Sequence, residues 1–166
     1  MITLPVLPLT AEAMAPFGSV IEQATGGAAV NGGSSQRHEA VPALDLQRDS
    51  GRAVLAVYDA RARAFPFEAW VLERHRGSDQ VFLPLGGARR CVLLLAPAAV
   101  ERPRAADCLA LLSDGLQGVR IAAGTWHHGL LALDDGPWAV LERRAEEVDC
   151  DELRLDAAIV LALGRT

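Results

Sequence analysis

Lysine is absent from the 166 residues. Without it there is no Schiff base on a lysine, no pyridoxal phosphate linkage and no phosphate loop of the lysine-bearing kind. All 16 basic residues are arginine, whose planar fork suits two-point capture of a carboxylate. Cysteine is scarce. Cys91, Cys108 and Cys150 are widely spaced with no CxxC pair, so a zinc ribbon or a thioredoxin-type site has no support. Cys91 and Cys108 lie in apolar stretches and read as packing residues of a reduced, cytoplasmic protein. No apolar run approaches the roughly 18 residues that cross a bilayer. The opening Met1 to Pro5 has no basic flank and Pro5 and Pro8 interrupt it, so no secretory signal is expected. Acidic residues exceed basic ones, 21 against 16, for a net charge of -5; a nucleic-acid surface is not expected. What is present, 51% hydrophobic and 22% charged residues, is the balance of a folded protein, and residues 1–166 read as one domain.

Two short segments carry the chemistry. The first is Glu73-Arg74-His75 with Gln80 and Gly86; the second is Gly124-Thr125-Trp126-His127. On a strand, residues i and i+2 share a face, so Glu73 and His75 are expected to point together into a barrel. Arg76 to Asp79 reads as a hairpin turn that returns Gln80 beside them. This pattern resembles the two halves of a cupin metal site, with Glu73 where the first histidine is usual and Gln80 where glutamate is usual. Imidazole, carboxylate and amide oxygen suit a borderline divalent ion such as Mn²⁺, Ni²⁺ or Fe²⁺. The expected ligands are Glu73, His75, Gln80 and His127, and no organic cofactor is expected.

Along the chain, Thr10 predicts a cap for a short helix over 11–15. Short strands are expected at 19–22, 53–58 (buried), 67–74, 81–83, 90–95, 119–121, 129–133 and 138–141. Residues 24–35 read as a loop, 104–113 as a helix, and the tail from 151 to 163 fits helix or strand. Many short strands with few helices predict a mainly β fold, a cupin-like, jelly-roll-type double-stranded barrel.

Over about residues 3 to 145 the chain resembles the bacterial ureidoglycolate lyase family of purine (allantoin) catabolism. The resemblance rests on Leu4 to Thr10, Phe17 to Glu22, Asn31-Gly32-Gly33, Arg37-His38, Leu72 to His75 with Gln80 and Phe82 to Leu85, Gln117-Gly118-Val119 and Gly124 to His128. One segment departs. Glu142-Arg143-Arg144-Ala145 stands where the family usually has Asp-Arg-Gly-Gly. The resemblance implies cleavage of ureidoglycolate to glyoxylate and urea, and a homodimer. That chemistry asks for a base at the substrate hydroxyl, a proton for the departing nitrogen and a cation at the carboxylate.

Glu73, His75 and His127 are therefore the expected catalytic residues. Asn31, Arg37, Gln80, His128 and Arg143 are the expected substrate-binding residues. Arg37, after a Gly/Ser-rich loop, and Arg143, at the end of a core strand, compete as carboxylate clamp. His127 and His128 must face opposite sides of their strand; the cupin spacing selects His127 for the pocket. Arg74 is expected on the outside. Two rivals stay open: another metal-dependent cupin enzyme acting on a small hydroxy- or keto-acid, and a small-molecule-binding cupin without activity.

Overall fold

Cys91 to Ala96 is buried on both faces, and its alternating side chains enter two different cores. Cys91, Leu93 and Leu95 join one, and Val92, Leu94 and Ala96 join the other. Each leucine fully withdrawn from water contributes about 2 kcal/mol. This one segment therefore ties two layers together.

The computed structural model describes residues 1–41 and 43–164. Its strands are β1 (Ile2–Pro8), β2 (Gly18–Ile21), β3 (Ala28–Val30), β4 (Ser35–Arg37), β5 (Arg52–Ala60), β6 (Phe67–Arg74) and β7 (Gln80–Pro84). They continue with β8 (Cys91–Ala96), β9 (Leu109–Leu112), β10 (Gly118–Ile121), β11 (Trp126–His127), β12 (Leu131–Ala132), β13 (Gly136–Arg144) and β14 (Asp151–Ala162). One helical turn, α1 (Ala11–Met14), is capped as expected, with the Thr10 hydroxyl accepting from the Ala13 amide at 3.1 Å.

The expected mainly β barrel forms. Strands β6, β14, β1, β9, β8 and β11 hydrogen-bond in a closed ring of six, because β11 pairs with both β8 and β6. β1 runs parallel to both β14 and β9. A second, antiparallel sheet in the order β2-β10-β7-β13-β5 covers one side. One core fills the ring, around Leu72, Leu94, Trp126, Ile159 and Leu161. The other lies between the ring and the second sheet, around Phe82, Leu95, Leu111, Trp138 and Val140.

Several expectations are corrected. Residues 104–113 do not form a helix; a 3₁₀ turn at Ala105–Asp107 leads into β9. Ala110 faces one core and Leu111 the other, and a strand buried on both sides shows the unbroken apolar run that also fits a helix. The segment at 53–58 is a strand, but Leu55 and Val57 are exposed because they alternate onto the face opposite the core that Trp138 and Val140 join. The stretch 24–35 contains β3, which pairs with β4 as a separate two-stranded ribbon. Residues 75–79 do not close a hairpin between paired strands. They carry the chain from β6 in one sheet to β7 in the other. Arg74 is not on the outside. Its side chain is buried, stacked 4.2 Å from the Trp126 ring, and paired with Asp151 (2.9 Å) and Glu101 (2.8 Å).

Candidate active site

His127 and Glu73 are register partners across the β11–β6 pair, and His127 is also the partner of Leu95 on β8. Leu95 belongs to the core between the sheets. His127 and Glu73 therefore face that inter-sheet space, while Trp126, next in sequence, faces into the ring. The site lies at the mouth between ring and second sheet, not inside the closed ring.

Glu73, His75 and His127 each offer a ligand atom, and these atoms lie within 4.8 Å of one another. The two imidazole rings are 5.4 Å apart between centroids. His127 Nδ1 lies 3.0 Å from the Thr125 carbonyl, and His75 Nδ1 lies against the Asp149 carbonyl. A carbonyl oxygen only accepts, so each Nδ1 carries the hydrogen and donates. Each Nε2 is then left with a bare lone pair. Both Nε2 atoms are buried without a hydrogen-bond partner, and His127 Nε2 faces Glu73 Oε1 at 3.6 Å. Burial pushes the His127 imidazole down to about 4, partly offset by the Thr125 carbonyl and reinforced by His75 and His128. The ring is neutral at pH 7 and its Nε2 is an acceptor.

Acceptors converge here, and among the described residues the donor nearest to them is the Cys150 thiol, a long 4.0 Å from Glu73 Oε2. Two lone pairs and a carboxylate held this closely are mutually unfavourable until positive charge sits among them. Carbonyls that fix the tautomer from behind are the usual support of a histidine metal ligand. The donor set thus fits a divalent cation. Gln80 adds a fourth acceptor, since its Oε1 is buried without a partner, and it shares with His75 a pocket of about 220 Å³.

Glu142, Arg143, Asp149 and Cys150 line that pocket as well. Arg143 is nearly covered. Its Nε donates to the Arg48 carbonyl (2.7 Å), Nη2 to the Asp49 carbonyl (3.4 Å), and Nη1 lies 3.8 Å from Asp149 Oδ2. Arg37 and Asn31 are elsewhere. Arg37 ends β4, is exposed and pairs with Glu39 at 3.0 Å. Asn31 sits at the tip of the β3–β4 ribbon with φ +53° and donates to Ser35. Neither lines the pocket. His128 turns away from His127 as alternation requires, packing edge-on against Phe67 at 5.4 Å.

Sequence reasoning missed the residues that hold the corner between the sheets. Asp149 accepts from the Gly77 amide (2.9 Å) and the Ser78 hydroxyl (3.3 Å) while its carbonyl orients His75. Asp79 is buried, takes both ends of Arg120 (2.9 and 3.1 Å), and accepts from the Ala123 and Asp45 amides. An aspartate in a turn carries no mark of such a partner. The one available signal was the position of Asp79 beside Gln80.

The chain as a whole is similar to known proteins. The family model described as ureidoglycolate lyase matches residues 1–162. A ureidoglycolate lyase of Burkholderia cepacia is 40% identical over 157 residues, covering 92% of this chain and 86% of that protein. One from Azotobacter vinelandii is 36% identical over 151 residues, covering 90% of each. One from Pseudomonas syringae pv. tomato is 34% identical over 154 residues, covering 90% of this chain and 88% of that protein. With its whole barrel and Glu73, His75 and His127 inside the matched span, the chain belongs to the ureidoglycolate lyase family.

Proposed function

We propose that the pocket between the sheets cleaves ureidoglycolate to glyoxylate and urea. The observation that carries this reading is the convergence of Glu73 with His75 Nε2 and His127 Nε2, both nitrogens buried without a hydrogen-bond partner. Glu73, His75 and His127, with Gln80 as a weaker fourth, would hold a divalent ion such as Ni²⁺ or Mn²⁺. Bound there, the ion supplies the Lewis acidity that lowers the pKa of the substrate hydroxyl.

The remaining steps fall to the chain's own groups. One carboxyl suffices for the protons, because the proton lost by the hydroxyl equals the one gained by the nitrogen. Glu73, about 30% exposed, takes the hydroxyl proton on the carboxylate oxygen not turned toward His127. The carbonyl forms as the C–N bond breaks, and the same carboxyl returns the proton to the departing urea nitrogen. Arg143 lines the pocket together with Arg144, and its Nη1, which makes only a 3.8 Å contact with Asp149 Oδ2, is the arm we assign to the substrate carboxylate. Arg37 and Asn31 contribute only if their ribbon closes over the pocket.

A homodimer is part of this reading, supported by exposed Leu55 (69%) and Val57 (62%) on the outer face of β5. The cytoplasmic setting rests on three free cysteines. The test is glyoxylate release from racemic ureidoglycolate by metal-analysed protein, with and without added Ni²⁺ or Mn²⁺. Release above the spontaneous rate, reduced at least about a hundredfold by His75→Ala and by His127→Ala, is expected. No release from folded protein with any metal overturns the reading and leaves a different small acid or a non-catalytic binding role.

A further inference from the structure

Glu142 also lines the pocket, on the strand facing the metal-type ligands, and it has a device of its own. Trp138 and Val140 on β13 face the inter-sheet core, so by alternation Glu142 faces the same space. Tyr58 is the register partner of Trp138 on β5 and shares that face. Its phenol donates to Glu142 Oε2 at 2.9 Å, and its ring packs edge-on against Phe82 at 6.4 Å. Burial, the bond to Glu142 and the charges of Glu142 and Glu73 raise the phenol to about 12. Tyr58 thus stays protonated and keeps Glu142 oriented, while Glu142 Oε1 has no protein partner among the described residues.

We propose that Glu142, positioned by Tyr58, is the specificity residue that grips the ureido group of the substrate. This rests on the ureidoglycolate reading above and adds to it how the leaving group is recognised. A ureido group presents two nearly parallel N–H bonds on one edge, the same fork that guanidinium offers to a carboxylate. The other protein groups established at this mouth, Glu73 and the two histidines, are committed to the cation-seeking cluster. Of the other carboxylates lining the pocket, Asp79 is taken by Arg120 and Asp149 by Gly77 and Ser78; Glu142, unlike Glu147, faces the inter-sheet space on a strand and is oriented by a phenol. Its charge also repels the substrate carboxylate, so the substrate enters with its ureido end at Glu142 and its acid end away. A hydroxy-acid lacking the ureido group gains nothing from Glu142.

The experiment compares two ligands by calorimetry on the metal-loaded protein: ureidoacetate, with ureido and carboxylate but no hydroxyl, and glycolate, with hydroxyl and carboxylate but no ureido. Glu142→Gln replaces one acceptor oxygen with a donor and should weaken ureidoacetate about tenfold or more while leaving glycolate within about twofold. Tyr58→Phe keeps the ring and loses the donor, and should weaken ureidoacetate about threefold, again without touching glycolate. On ureidoglycolate, both should raise KM more than they lower kcat. Equal loss of both ligands in both variants would assign Glu142 a merely structural role and overturn the proposal, as would an unchanged ureidoacetate affinity. If wild-type protein binds glycolate and releases glyoxylate yet ignores ureidoacetate, the proposal fails and the lyase reading stands. If it binds neither ligand and releases nothing, both fail.

Discussion

Acidifying the metal-free protein should cost it stability in one narrow window, and His127 is the reason. In the folded chain burial holds its imidazole at about 4, against an ordinary value of 6.5. Between these two values the unfolded chain binds a proton at this position and the folded chain does not. Stability must therefore fall as the pH falls through the window. Integrating from pH 7.5 to pH 4.5 gives a loss of about 2.5 kcal/mol from this one ring, a large share of the roughly 5–15 kcal/mol that holds a domain folded. His127→Gln removes the titrating group. The assay is urea unfolding at half-unit pH steps for wild type and variant after chelation, since the difference between the two cancels the other ionisations. The gap should change by about 2 to 3 kcal/mol across the window, favouring the variant at low pH. A constant gap, or an NMR titration placing His127 near 6.5, refutes the claim that the site holds a neutral, buried imidazole ready to accept a cation.

Arg74 gives an asymmetric test. Arg74→Met leaves Asp151 and Glu101 partly exposed and still paired with Arg76, at 2.6 and 2.8 Å, so the cost by thermal or urea unfolding should be about 1 kcal/mol or less. The double variant Asp151→Asn, Glu101→Gln strands a buried guanidinium against Trp126 and should cost about 3 kcal/mol; equal costs would contradict the burial argument. Leu55→Glu with Val57→Glu puts charge on the outer face of β5. If the proposed homodimer forms through this face, sedimentation should show a dimer in wild type and a monomer in the variant with the fold intact; a monomeric wild type overturns the dimer, and an unchanged dimer places its interface elsewhere.

The strands at 67–74, 80–84, 91–96 and 136–144 were legible because alternation or unbroken apolar runs leave few other choices. Leu109–Leu112 was misread because burial on both faces erases the period that separates strand from helix. The tail was ambiguous for a different reason: β14 shifts register between Arg154 and Ile159, and a bulge breaks the alternation that would mark a strand. At the site, Glu73, His75 and His127 were readable from spacing, whereas the layer they enter was not. Only the pairing of His127 with Leu95 places them between the sheets. The hold on His75 was invisible, because a backbone carbonyl at residue 149 has no side-chain signature. Arg37 and Arg143 looked alike as candidates; only the fold separates an exposed ribbon end from a covered guanidinium.

The two-residue strand Trp126–His127 completes the ring and delivers the histidine in the same act. A chain with an unzipped seam cannot bring His127 to Glu73 and His75. Folding completeness and competence are therefore one event, and a partly assembled protomer is silent rather than sluggish. The order of synthesis sharpens this. Glu73, His75 and His127 all leave the ribosome before β14, yet β6 is held on its other edge by β14, which also takes β1 alongside. The strand that carries Glu73 must wait for β14 to hold its other edge, and such distant pairings make slow folders. Loss of that strand should therefore abolish activity as fully as loss of His127 itself.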